Sequence, residues 1–163
     1  MDSIHTAFMQ EALTLAQAAL GQTWPNPSVG ALLVKDGMVV GRGSTARGGR
    51  PHAETRAIAE AGSNAKGATL YVTLEPCSHQ GQTPPCTEAV IRAGITHCVV
   101  ACRDPNPKVN GRGMAQLKAA GITVTEGVCE QEARELNRGF FSVIQKGRPY
   151  VALKIATSAD GKI

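Results

Sequence analysis

Apolar positions recur close to every 3.6 residues over residues 6–20. Phe8, Ala12, Leu15, Ala16 and Ala19 share one face, and Gly21 follows as a stop, which predicts a helix. The pattern then breaks at Trp24-Pro25-Asn26-Pro27. Each proline fixes its own φ and pushes the residue before it out of the helical region, so this is an extended loop that holds Asn26 stiffly between two prolines. Short apolar runs at 29–34 and 38–43 flank Lys35-Asp36-Gly37, a hairpin signal that predicts two antiparallel strands. Residues 52–61 read as a helix burying Ala53, Ala57, Ile58 and Ala61 and ended by Gly62. A strand at 68–74 leads into Glu75-Pro76. Thr83 is placed as an N-cap and Pro84 as the first helical residue, so a helix is expected over 84–93, with Gly94 ending it. A strand at 95–102, the loop Asp104-Pro105-Asn106-Pro107, a helix at 113–120 and a strand at 122–125 follow. A longer helix is predicted over 129–145 with Ala133, Leu136, Phe140, Phe141 and Ile144 inward, then a last strand over 150–156.

Strands alternating with helices predict an α/β domain of three layers, α/β/α, around a mixed, mostly parallel sheet with an N-terminal β-hairpin. In such sheets ligands collect beyond the C-terminal ends of the strands, and the loops after Leu74 and after Cys102 leave such ends.

Composition narrows the classes. No apolar run approaches the roughly 20 residues that span a bilayer, so no membrane partner is expected. Met1-Asp2-Ser3-Ile4-His5 opens polar rather than as a signal peptide. A cytoplasmic, reduced protein is therefore expected, in which the five cysteines serve a metal or catalysis before disulfides. The net charge of +4 suits an anionic small substrate. One Trp, two Tyr and three Phe, with no run of Lys or Arg, argue against a nucleic-acid partner. Arg42, Arg47 and Arg50 crowd a Gly-rich stretch that either contacts an anion or is simply solvated.

The chemistry concentrates in two segments, His52-Ala53-Glu54 and the loop from Glu75 to Cys86. His52, Cys77 and Cys86 supply one imidazole and two thiols, a ligand set for catalytic zinc. Two thiolates and a neutral imidazole cancel the charge of one Zn²⁺ and leave a fourth position for water, whose pKa the metal lowers toward neutrality. Glu54 stands close enough in sequence to take that proton and hand it on. His-x-Glu followed by Pro-Cys and a second cysteine at a helix start is the pattern of zinc base deaminases, in which hydroxide attacks an amidine-like ring carbon and ammonia leaves. A closed zinc site that merely braces the fold stays open, with His79 or Cys102 as fourth ligand. So does a deaminase of another nucleoside or base. Cys98 and Cys129 read as small core residues.

Taken together, Pro25-Asn26-Pro27-Ser28-Val29-Gly30, His52-Ala53-Glu54, Glu75-Pro76-Cys77-Ser78-His79 through Thr83-Pro84-Pro85-Cys86, Asp104-Pro105-Asn106-Pro107, Gly111-Arg112-Gly113 and Asn137-Arg138-Gly139-Phe140 resemble the deaminase domain of the bacterial riboflavin-biosynthesis deaminase/reductases. The resemblance implies a cytidine-deaminase-like fold. It implies hydrolysis of 2,5-diamino-6-(5-phosphoribosylamino)pyrimidin-4-one to 5-amino-6-(5-phosphoribosylamino)uracil, with zinc on His52, Cys77 and Cys86, Glu54 as proton shuttle, and Asn26, His79, Asp104 and Asn106 as substrate contacts. It divides the chain into a deaminase domain, 1–146, and a linker with the first strand of a truncated reductase domain, 147–163. NADPH belongs only to that missing domain, which is expected as a fused partner in a longer protein. The family is usually oligomeric, and the sequence leaves a homo-oligomer open. This chain carries Gln82 where family members commonly have Lys or Arg, and Thr45 where they often have His. Arg47, Arg50 and Arg103 are the nearby cations able to stand in.

Overall fold

The computed structural model describes residues 3–107 and 109–162. Strands β1 (Gly30–Lys35), β2 (Met38–Ser44), β3 (Thr69–Val72), β4 (His97–Val100) and β5 (Thr123–Glu126) form one sheet in the order β2-β1-β3-β4-β5. β1 pairs antiparallel with β2 and with β3, while β3, β4 and β5 run parallel. The mixed sheet and its hairpin are as expected, and the four pairings divide evenly between the two senses. Asp36 and Gly37 both take positive φ (52° and 76°). That is the backbone a two-residue turn needs to match the twist of its strands.

The sheet is flanked by α1 (Ser3–Ala19), α2 (Ala53–Ala61), α3 (Cys86–Arg92), α4 (Arg112–Ala119), α5 (Glu130–Leu136) and α6 (Arg138–Lys146). Successive residues of β1, Ala31, Leu32 and Leu33, are all fully buried, so both faces of that strand are covered. The core is built from small aliphatic residues, as the scarcity of aromatics requires. Gly43 on β2 shows how tightly the layers meet. A Cβ there would lie 2.1 Å from the Ala53 carbonyl oxygen. Only the missing side chain lets the first turn of α2 rest on β2, and that turn carries His52 and Glu54 to the site.

Three expected elements differ. The helix expected from Pro84 begins at Cys86, with Pro85 in extended geometry (φ −58°, ψ 142°) at the capping position. Thr83 is exposed and caps nothing. Pro85 keeps Pro84 out of the helical region, which outweighs the capping preference of Thr83. The expected helix over 129–145 is two helices, broken at Asn137 (φ −102°, ψ 22°). The strand expected over 150–156 does not form. Val151 and Leu153 are 80% and 81% exposed, and no described strand runs beside the segment to take its backbone hydrogen bonds. Cys98 is a core residue as expected. Cys129 is half-buried in left-handed backbone (φ 57°), and its sulfur accepts a long hydrogen bond from Gln10 Nε2 at 3.5 Å. No helix among the described residues is long and apolar enough to cross a membrane.

Candidate metal centre

His52 is the extended residue that opens α2 (φ −71°, ψ 159°). Cys77 lies in the loop after β3, and Cys86 is the first residue of α3. His52 Nδ1 stands 3.2 Å from Cys86 Sγ and 3.7 Å from Cys77 Sγ. One ligand atom from each of the three residues lies within 4.8 Å of the other two. Zn–S of about 2.3 Å and Zn–N of about 2.0 Å at tetrahedral angles put neighbouring N and S atoms about 3.5 Å apart, so this donor set fits zinc. Neither His79 nor Cys102 joins the cluster. The Cys102 thiol points away and donates to the Thr73 carbonyl at 3.4 Å.

The groups are electrostatically poised. A hydrogen bond from the Cys86 thiol, chiefly, pulls the Cys77 thiol down to about 4 against the cost of burial, helped by His52 and by the Cys86 amide at 3.2 Å. That amide belongs to the first residue of α3 and has no partner within the helix, so it is free to serve the sulfur. Cys86 is pushed up in turn, first because its thiol donates to Cys77 and then by burial. The bond to Cys77 raises His52. Burial pushes the Glu54 carboxyl up to about 7, and the Cys77 charge adds to it.

A cavity of about 290 Å³ opens beside the cluster. Asn26, His52, Glu54, Cys77, His79, Asp104 and Asn106 all line it, although they come from four separate stretches of chain. Cys86 lies behind the wall, against His52. His79 is exposed at the rim. The Asn26 amide donates to the Gly49 carbonyl at 2.7 Å and lies 3.4 Å from His52 Nε2. Asp104 Oδ1 accepts the Asn106 amide at 2.8 Å, and burial pushes its carboxyl up to about 6. Leu74, Phe140 and Ile144 supply apolar wall.

Two positioning residues escaped the sequence reading. Glu75 is buried and its carboxylate accepts four backbone amides, from Asp104 (3.3 Å), Gly111 (2.8 Å), Gly113 (2.9 Å) and Met114 (3.4 Å). It ties the loop that carries Cys77 to the loop that carries Asp104 and Asn106. In the sequence it was marked only as a carboxylate at the exit of an apolar strand that opens the Glu75-Pro76-Cys77 motif, with no role assigned to it. Asn137 is the other, and it grips the backbone of Ser28, two residues beyond Asn26. Thr45 is also internal. Its hydroxyl accepts the Val29 amide at 3.0 Å and donates to the Pro27 carbonyl at 3.1 Å, so it braces the Asn26 loop.

The family described as the cytidine and deoxycytidylate deaminase zinc-binding region matches residues 2–102. Riboflavin biosynthesis protein RibD of Aquifex aeolicus is 56% identical over 156 residues, which are 96% of this chain and 44% of that protein. A RibD structure from Acinetobacter baumannii superposes with a TM-score of 0.92 at 51% identity, over 97% of this chain and 45% of that one. A Thermotoga maritima diaminohydroxyphosphoribosylaminopyrimidine deaminase/5-amino-6-(5-phosphoribosylamino)uracil reductase superposes with a TM-score of 0.92 at 46% identity, over 97% of this chain and 46% of that one. The chain thus spans less than half the length of these relatives. The stretch matched by the family contains His52, Glu54, Cys77 and Cys86, the residues that converge on one cluster and one cavity, and the chain belongs to the cytidine and deoxycytidylate deaminase zinc-binding family.

Proposed function

We propose that this chain removes the 2-amino group of 2,5-diamino-6-(5-phosphoribosylamino)pyrimidin-4-one by zinc-dependent hydrolysis, yielding 5-amino-6-(5-phosphoribosylamino)uracil and ammonia. The observation that carries the reading is the buried Glu54 carboxyl, facing the same cavity as the His52, Cys77 and Cys86 cluster. The names borne by the similar proteins support the substrate. His52, Cys77 and Cys86 would hold one zinc ion per chain, which when bound supplies a Lewis acid that lowers the pKa of water toward neutrality. Glu54 takes the proton released from water and delivers it to the ring nitrogen, then carries the proton of the newly added hydroxyl to the amine, so that the carbonyl forms as the C–N bond breaks and ammonia leaves. Desolvation raises the proton affinity of Glu54 above that of an ordinary carboxylate, which suits a group that must both accept and return a proton near neutral pH. Asn26, His79, Asp104 and Asn106 read the polar edge of the pyrimidine and the ribose, while Phe140 and Ile144 exclude water from one side.

Residues 147–163 are proposed as a linker and the opening strand of a fused reductase domain that takes NADPH. The greater length of the relatives and the exposed apolar side chains of Val151 and Leu153 support this. Five free thiols suit a reducing, cytoplasmic setting.

Ammonia release by the zinc-loaded chain from the diaminopyrimidine, cytidine and guanine tests the reading. Turnover of the diaminopyrimidine alone is expected. Release from cytidine or guanine with none from the diaminopyrimidine would overturn it.

A further inference from the structure

The cavity wall holds a cation to which the chemistry above gives no role. Among the described residues, Arg50 is the one arginine or lysine lining it. Arg47 does not line the cavity, and three other arginines are committed elsewhere. Arg103 makes a two-pronged pair with Glu126 (2.9 and 3.1 Å), Arg42 pairs with Glu11 at 3.0 Å, and Arg56 donates to the Ser44 carbonyl at 2.9 Å. Among the described residues Arg50 pairs with no carboxylate. Its Nε donates to Gln82 Oε1 at 3.1 Å, which sets the plane of the guanidinium.

The other edge of Arg50 is held only conditionally. Its Nη1 lies 3.2 Å from His52 Nε2, a contact that needs a lone pair on that nitrogen. His52 turns Nδ1 toward both cysteines. An imidazole that ligates a metal through Nδ1 carries its proton on Nε2, so two donors would then face each other. With zinc on the cluster this edge would lack His52 as an acceptor, while Gln82 holds Nε. Arg50 is half-buried, lines the cavity and lies beside exposed Gln82, which places its Nη edge toward the cavity mouth. The carboxyls of Glu54, Glu75 and Asp104 also line the cavity and would repel an anion placed deeper.

We propose that Arg50, oriented by Gln82, anchors the phosphate monoester of the substrate at the cavity mouth and so sets selectivity for the phosphorylated pyrimidine. This rests on the substrate reading above. A guanidinium suits the task because its planar fork matches two phosphate oxygens at once.

Calorimetric titration of the zinc-loaded chain with 5-amino-6-(5-phosphoribosylamino)uracil, and with the same compound lacking its phosphate, provides the test. The phosphorylated form should bind about 10- to 100-fold more tightly, the range of a charged hydrogen-bonded contact. Arg50→Ala should collapse that ratio toward one. Arg50→Lys should restore part of it, and Gln82→Ala should lower it partway. If Arg50→Ala keeps the wild-type ratio, or weakens both compounds equally, Arg50 is only a structural neighbour of His52 and the proposal fails. If the wild-type chain binds neither compound, the substrate reading fails and takes this proposal with it, an outcome distinct from binding with an unaltered ratio.

Discussion

Asn137 satisfies both backbone groups of Ser28. Its Oδ1 accepts the Ser28 amide at 2.9 Å, and its Nδ2 donates to the Ser28 carbonyl at 2.8 Å. The pair is buried and joins residues 109 positions apart. It braces the Asn26 loop on one side and sits on the other at the break between α5 and α6, the helix whose Phe140 and Ile144 line the cavity.

Replacing Asn137 by Ala should leave a buried amide and a buried carbonyl without partners, at a cost of about 2–4 kcal/mol. A fall in the urea midpoint with an unchanged m-value would report it. No change in midpoint would mean that water takes over both bonds.

Glu75 gathers four amides from the segment that contains Asp104, and Gly113 lets that segment close over it. A Cβ at Gly113 would sit 2.1 Å from the Pro76 carbonyl oxygen. Glu75→Gln keeps the shape but turns an NH₂ group toward N–H donors, which should destabilise the protein by about 1–3 kcal/mol. The loop carrying Asp104 and Asn106 would shift, while His52, Cys77 and Cys86 keep their contacts with one another. Steady-state kinetics should therefore show KM rising more than kcat falls, with zinc content unchanged. A loss confined to kcat would contradict the positioning role.

Glu54→Gln should retain zinc, because Glu54 is not one of the clustered ligands. It should lose turnover by about 10²–10⁴-fold, the usual contribution of a positioned acid/base. Ammonia release alongside metal analysis checks both halves, and near-normal turnover would remove Glu54 from the mechanism.

Cys77 is one of the two thiols in the cluster, and the hydrogen bond from Cys86 pulls its pKa down. Cys77→Ser should cost most of the metal affinity, since serine does not ionise near neutrality. Added zinc should raise the Tm of the wild-type chain by mass action and leave the variant nearly unmoved.

Asp104 yields a pH prediction. Burial raises its carboxyl from 3.8 to about 6. Below about pH 4 both folded and unfolded chains hold the proton. Between about 4 and 6 the folded chain keeps a proton that the unfolded chain has lost. Stability from this group therefore falls as pH rises through that window, by about 2–3 kcal/mol in all. Asp104→Asn lacks the titration and should gain stability relative to wild type from pH 4 to pH 6. Chemical denaturation at the two pH values measures the difference.

The candidate site was legible in the sequence because its signals are local. His52, Glu54, Cys77 and Cys86 are residue types with few other uses in such spacing. Prolines and glycines mark loops, and period-2 and period-3.6 patterns mark strands and helices over a few residues. Seven of the expected site residues meet in one cavity for that reason. Tertiary structure decided what depends on long-range pairing. Local capping preference favoured a helix from Pro84, yet Pro85 delays it to Cys86, whose free amide then reaches the Cys77 sulfur. Local periodicity favoured one helix over 129–145, yet the backbone leaves helical geometry at Asn137, whose side chain bonds Ser28 far away in the chain. Apolar alternation favoured a strand over 150–156, yet a strand exists only where a neighbour takes its hydrogen bonds. Glu75 stood in the sequence as the first residue of the site loop with no role of its own, and Arg50 as one of several cations that could meet an anion. Folding brought four amides to the first and set the second against Gln82 and His52, because burial and approach, not residue type, determine which charges a fold puts to use.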